Sequence, residues 1–184
     1  MKKKWAYHIS FTGLFTAILA VCAMISIPMG DVKFSLQLLA VWLMAGLLPL
    51  YDALAAVAVY ILLGALGVPI FAGLVGGVGI LMGPTGGFIY GFLPAVLTAW
   101  LLLRFKKQRP LWYLCLSVIA GTLVCYLFGT IHFLIYMPGK GLAYTLTFTV
   151  LPYILPDVLK AAVAALVVRK VSPFFLKLFK KAED

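Results

Sequence analysis

Charge is scarce in this 184-residue chain: 11% of its residues are charged and 65% hydrophobic, with a mean hydropathy of +1.13. A soluble domain has no means of hiding that much apolar surface, so the class is integral membrane. Alternation of apolar and polar residues is also missing. That excludes a transmembrane barrel, because the apolar runs are continuous and long enough for helices. The three cysteines, Cys22, Cys115 and Cys125, fall inside apolar runs with no paired metal spacing and read as packing residues. No His, Cys and acid cluster has metal spacing, and no nucleophile has a plausible base. GPTGG is not a phosphate loop, because no Gly-Lys-Ser/Thr follows it, and no ATPase motif occurs elsewhere. An enzyme is therefore not expected, nor any cofactor. If the chain moves a solute against a gradient, a partner or a coupling ion must supply the energy.

What is present centres on Val68 to Gly91, VPIFAGLVGGVGILMGPTGGFIYG, which holds eight glycines, two prolines and no charge. Phe71, Ile80, Leu81, Met82 and Phe88 make it too apolar for a flexible linker. Backbone that is neither helix nor barrel survives at membrane depth only where protein buries it or it lines a cavity. The stretch reads as a folded loop forming one wall of a ligand site.

The chain has room for about six spans of ~20 residues, in one compact bundle without a soluble domain. The expected fold is an all-α bundle of six transmembrane helices. Its spans are 9–27, 36–48, 53–66, 88–103, 111–136 and 144–171, followed by a basic, amphipathic tail at 172–184 along the inner leaflet. Spans two and three fall short of a full crossing. The N-terminal KKKWAYHIS resembles a signal peptide, but its apolar run is too long for one and reads as a retained span.

The net charge of +10 could suggest nucleic acid, but nearly all of it sits at span ends, which argues against that partner. Lys2, Lys3, Lys4, Arg104, Lys106, Lys107, Arg109, Arg169, Lys170, Lys177, Lys180 and Lys181 fall on one side. Lys33 and Lys140 fall on the other. Both termini are therefore expected in the cytoplasm. Trp5, Trp100, Trp112, Tyr7, Tyr51 and Tyr113 fall near the same face, as an interfacial belt requires. With that topology the loops at 28–35, 68–87 and 137–143 lie outside and can converge over one cavity.

Asp157 and Lys160 stand inside the apolar run LPYILPDVLKAAVAALV. Each would cost about 2.5–3.5 kcal/mol at a helix centre, so intramembrane charges are functional candidates. Their i, i+3 spacing puts them on one helix face. They could form a self-neutralising pair that shapes packing. Alternatively the carboxylate could accept N–H donors of a ligand while the ammonium faces an anion. Pro152 and Pro156 should distort the helix here and free carbonyls. Gln37, near the outer start of span two, reads equally as an interfacial amide or as a partner for a polar ring. Tyr90 offers a ring and a hydroxyl, although buried tyrosines of this kind are usually structural. His132 reads as packing, His8 has no assigned role, and Asp52 should cap span three. Gly13 and Ala17, one turn apart on span one, could let another helix approach closely.

Together FSLQLLAVWLMAGLL, GALGVPIFAGLVGGVGILMGPTGGFIYGF and LPDVLKA resemble the BioY family over nearly the whole chain. These are the biotin-capturing substrate (S) components of energy-coupling-factor (ECF) vitamin importers. The resemblance implies a multi-pass protein of a prokaryotic cell membrane that binds biotin with high affinity from outside. Asp157 would meet the ureido N–H groups and Lys160 the valerate carboxylate. Gln37 and Tyr90 would lie at the site, and the loop residues Phe71, Gly73 and Gly83 would form lid and wall. It also implies a membrane-embedded coupling (T) subunit carrying two ATPases, with Gly13 and Ala17 as docking positions. Gly13 stands where the family usually has alanine, and Phe88 where many relatives have tyrosine, so no hydroxyl role is assigned at Phe88. Other readings are a stand-alone secondary transporter of biotin or another small carboxylate-bearing solute, an intramembrane enzyme using Asp157, and a structural adaptor.

Overall fold

The computed structural model describes residues 2–29, 32–106 and 109–183. Gly30 and Asp31 of the expected outer loop, Lys107 of the basic connection and Asp184 of the tail lie outside the described residues. So do the side chains of Lys2, Lys3, Lys4 and Lys181, which enter the charge count only as sequence. Helix α1 (Lys2–Met24) leads into an antiparallel hairpin, β1 (Ser26–Met29) and β2 (Val32–Ser35). There follow α2 (Gln37–Leu47), α3 (Leu50–Ala65), the short α4 (Val78–Met82), α5 (Gly86–Arg104) and α6 (Leu111–Tyr136). A single 3₁₀ turn (Pro138–Lys140) precedes α7 (Gly141–Thr149) and α8 (Leu151–Glu183).

Among the described residues, four segments are long and apolar enough to cross a membrane: Trp5–Met24, Gly86–Arg104, Leu111–Tyr136 and Pro138–Lys180. The protein is thus a multi-pass membrane protein built on helices. Helices α2 and α3 have 11 and 16 residues, about 16 and 24 Å at 1.5 Å per residue against a ~30 Å hydrocarbon core.

Prolines place several of the boundaries. Leu48 is extended (φ −100°, ψ 155°), as the residue before a proline should be, and the chain restarts at Leu50 after Pro49. The expected sixth span at 144–171 is divided. Val150 leaves the helical region (φ −122°, ψ −57°) and separates α7 from α8. Pro152 takes the second position of α8, where no intrahelical N–H is required. The tail is not a separate segment either, since α8 continues through Pro173 to Glu183. Phe175 and Phe179 find partners that keep it helical: their rings lie 5.5 and 5.2 Å from that of Phe11. Phe174 and Leu176 stay exposed on α8.

These contacts gather the start of α1, the end of α8 and the start of α3 at one basic end. There His8 Nδ1 donates to Asp52 Oδ2 at 2.7 Å. The role denied to His8 is therefore real. Asp52 is not the cap expected of it, because Pro49 occupies the cap position and Asp52 lies within the first turn. An acid there still opposes the helix dipole.

Helices α5 and α6 pack almost backbone to backbone. A Cβ added to Gly87 would sit 2.8 Å from the Phe128 carbonyl oxygen and 3.0 Å from Gly129 Cα. Small residues at such crossings let helices approach when no hydrophobic driving force separates lipid from protein.

Candidate functional site

At the end of the bundle opposite His8 and Asp52, the hairpin, the glycine-rich segment and α8 enclose two cavities. The smaller, about 60 Å³, is lined by Lys33, Phe34 and Ser35 of the hairpin, Tyr126 of α6, and Asp157 and Lys160 of α8, among others. The larger, about 350 Å³, is lined by Phe71, Ala72, Val75, Gly83 and Tyr136, among others. Lys33, Gln37, Phe88 and Phe92 line both. Pockets for small ligands fall at roughly 300–1,000 Å³, so the larger space can hold the body of one while the smaller reaches the charged pair.

Asp157 and Lys160 are buried, 5% and 7% exposed, and bonded to each other: Lys160 Nζ donates to Asp157 Oδ1 at 2.6 Å. The same ammonium donates to the Ser35 carbonyl at 2.6 Å and lies 3.9 Å from the centroid of the Phe34 ring. Its three donors are thus committed to a carboxylate, a carbonyl and a π face. Asp157 Oδ2 accepts from the Tyr126 hydroxyl at 2.6 Å. Two carboxylate oxygens offer about four lone-pair sites, so the carboxylate keeps acceptor capacity. The pair is unequal: its acid is available to donors, whereas its base is engaged in holding the hairpin on α8.

Gln37 is buried and anchors a second chain of bonds. Its Oε1 accepts from Ser35 Oγ at 2.7 Å, and its Nε2 donates to the Tyr60 hydroxyl at 2.6 Å. Tyr60 in turn donates to the Ile70 carbonyl at 3.1 Å. The chain ties hairpin, α2, α3 and loop together. Tyr60→Phe is expected to lower stability by about 1–3 kcal/mol, because it leaves a buried amide and a carbonyl unsatisfied. Limited proteolysis of the 68–83 segment, faster in the variant, would check where the loss falls.

The glycine-rich segment forms a wall whose backbone bonds stay inside the protein. Phe71 pairs with Val75 in an isolated bridge, and the Gly77 N–H donates to the Gly64 carbonyl at 2.6 Å. Phe71 is 1% exposed, with its ring edge-on to Tyr60 at 5.4 Å. Gly73 adopts φ +86°, a region side chains avoid, beneath the amine of Lys33. Lys33 Nζ donates to the neighbouring Ala72 carbonyl at 3.1 Å, fastening the hairpin over the wall.

Tyr90 lines neither cavity. Its hydroxyl bonds His132 Nδ1, while His132 Nε2 meets the Gly83 carbonyl at 2.9 Å. A carbonyl only accepts, so in the neutral ring Nε2 carries the proton and Nδ1 accepts from Tyr90. Tyr90 and His132 thus position Gly83 of the wall. Gly13 and Ala17 lie far from this site, exposed on α1, and a Cβ on Gly13 would touch nothing within 4 Å.

Sequence reasoning missed Tyr60 and Tyr126, and it read Lys33 only as an outer charge and 28–35 only as a loop over the cavity. The only signal of the two tyrosines was a hydroxyl within an apolar run, with nothing local to say which face it would take.

The sequence model of the BioY family matches residues 1–177. This chain belongs to the BioY family. It is 41% identical over 155 residues to the biotin transporter BioY of Thermotoga maritima, across 84% of this chain and 89% of the relative. To the probable biotin transporter BioY of Pyrococcus horikoshii it is 37% identical over 165 residues, 90% and 96% of the two chains. The crystal structure of the S-component for biotin from an ECF-type ABC transporter shares the fold. Its TM-score is 0.85 over 93% of each chain, at 21% identity. The resemblance drawn from the three motifs is confirmed at the level of family. A family of transporters also agrees with the expectation that the chain is not an enzyme.

Proposed function

We propose that this chain is the biotin-binding S component of an ATP-driven ECF-type importer. The observation that carries the reading is a buried carboxylate with spare acceptor capacity at the end of a mostly apolar cavity. The ureido N–H groups of biotin suit Asp157, and the thiophane ring and alkyl chain suit the wall around Phe71, Val75, Phe88 and Phe92. The valerate carboxylate must either displace the Ser35 carbonyl from Lys160 or reach Lys33, the other cation on the cavity wall. Gln37 and Tyr60 hold the wall, and Gly73 lets it pass beneath Lys33.

The positive-inside distribution supports cytoplasmic termini and a site that opens outward. The six-span bundle is read as one transmembrane unit over 1–184, with α2 and α3 as the short spans. The open face around Gly13 and Ala17 suits a membrane-embedded coupling subunit, and the absence of an ATPase motif requires the two ATPases to be supplied by partners.

Lys33→Ala is expected to weaken biotin binding about tenfold, equivalent to ~1.4 kcal/mol, and to leave desthiobiotin and biotin equally affected. Biotin methyl ester, which lacks the carboxylate charge, should lose nothing in the variant. Equilibrium binding of labelled biotin to the purified chain, with thiamine and riboflavin as competitors, tests the ligand; displacement by either competitor would overturn it. Uptake into vesicles tests the coupling. ATP-dependent uptake only with coupling subunit and ATPases present is expected, and ion-driven uptake by the chain alone would favour the stand-alone transporter.

A further inference from the structure

A cavity of about 400 Å³ lies at the basic end of the bundle, away from the charged pair. Pro49, Trp100, Arg104, Arg109, Leu176 and Phe179 are among its walls. The proposed transport of biotin makes no use of it. Two arginines line this one recess, and among the described residues no carboxylate pairs with either. The Arg104 guanidinium is held over the Trp100 ring, 5.5 Å from its centroid. Arg109 is half-buried, and desolvation pulls its guanidinium below the ordinary arginine range. It nevertheless keeps its charge at neutral pH.

A plainer role for the arginines is to neutralise the carbonyl ends of α2 and α5, which close at Leu47 and Arg104. Each helix end carries about −0.5 of a charge, so the two offset about one of the two positive charges. The start of α6, two residues beyond Arg109, adds positive potential of its own. An excess of roughly one positive charge therefore remains in the recess. Guanidinium forks match phosphate oxygens bidentately. Pro49, Leu176 and Phe179 give the same recess an apolar side, and Leu176 is 61% exposed. A free inorganic anion would use the arginines and leave that apolar side without a partner. Basic pockets between helices at a membrane surface suit anionic headgroups with their attached chains.

We propose that this recess is a headgroup site for an anionic phospholipid, Arg104 and Arg109 holding the phosphate and the Pro49–Phe179 side the first acyl carbons. Native mass spectrometry of the full chain in micelles doped with equal phosphatidylglycerol and phosphatidylcholine tests it. The wild type should retain one phosphatidylglycerol, preferred by about fivefold for each guanidinium. R104Q/R109Q should bring the ratio close to one, R104K/R109K should keep most of the preference, and biotin binding should be unchanged in both. If the double glutamine variant does not yield folded protein, R109Q alone should lose about fivefold. Equal retention of the two lipids by the wild type would overturn the proposal, as would an unchanged ratio in the glutamine variants. Millimolar inorganic phosphate should leave the bound lipid in place. Displacement of the lipid by millimolar phosphate would assign the site to a soluble anion and sink the lipid reading.

Discussion

Asp157→Asn is expected to weaken biotin binding by at least about 100-fold, or ~2.7 kcal/mol. The carboxylate accepts from Tyr126 and Lys160 at once, and only acceptors remain in its spare positions. An amide presents one oxygen and one NH₂ group, so it cannot accept on both sides and still receive ureido donors. Even with that one oxygen turned to it, the Lys160 ammonium would face a neutral amide in place of its counter-charge. Breaking a buried pair by removing one member typically destabilises by about 3–5 kcal/mol, because the other charge is left uncompensated. The variant should therefore also unfold at a lower temperature. Calorimetry on the monodisperse fraction, well below that temperature, separates the two effects. An unchanged affinity in folded Asp157→Asn would remove the carboxylate from the site.

Gly87→Ala should loosen the packing of α5 on α6. The new Cβ meets the Phe128 carbonyl oxygen and Gly129 Cα, which are backbone atoms with no rotamer to give way. Helix α6 must move off α5, and overpacking of this kind costs about 1–3 kcal/mol. A fall in Tm of roughly 3–10 °C is expected for a chain of this size. Gly13→Ala is the matched control, since nothing lies within 4 Å of its added Cβ. It should be neutral or slightly stabilising, as alanine favours helix over glycine by up to about 1 kcal/mol. Equal losses at both positions would mean that the close α5–α6 approach is not what makes Gly87 small.

The contrast between legible and illegible features follows from range. Asp157 and Lys160 stood out because charge inside an apolar run is costly anywhere, and i, i+3 spacing is a local rule. Their partners were not legible. Tyr126 is 31 residues from Asp157, and the Ser35 carbonyl is 125 residues from Lys160. A carbonyl, moreover, has no residue identity to read. Tyr60 and Tyr90 look alike in sequence, each within an apolar helix, yet Tyr60 entered the Gln37 network and Tyr90 turned to His132. Only the rotation of each helix against its neighbours decides that. The helix Leu111–Tyr136 has local signals at both ends, Pro110 and the turn at Pro138. The division of 144–171 at Val150 was not legible, since Val150 carries no breaker signal of its own. The tail looked like a surface helix because its aromatic partners on α1 lie more than 160 residues away.

The most direct test of the account is a calorimetric titration of biotin into D157L/K160M beside the wild type. Replacing both members of a buried pair with apolar residues of similar volume avoids the uncompensated charge that a single substitution leaves, and the cost that remains is the lost partner of the Tyr126 hydroxyl and of the Ser35 carbonyl. Saturable one-to-one binding by the wild type is expected, and a variant that is folded at the temperature of the titration but gives no binding heat. Biotin binding by the folded variant with wild-type affinity would contradict the account.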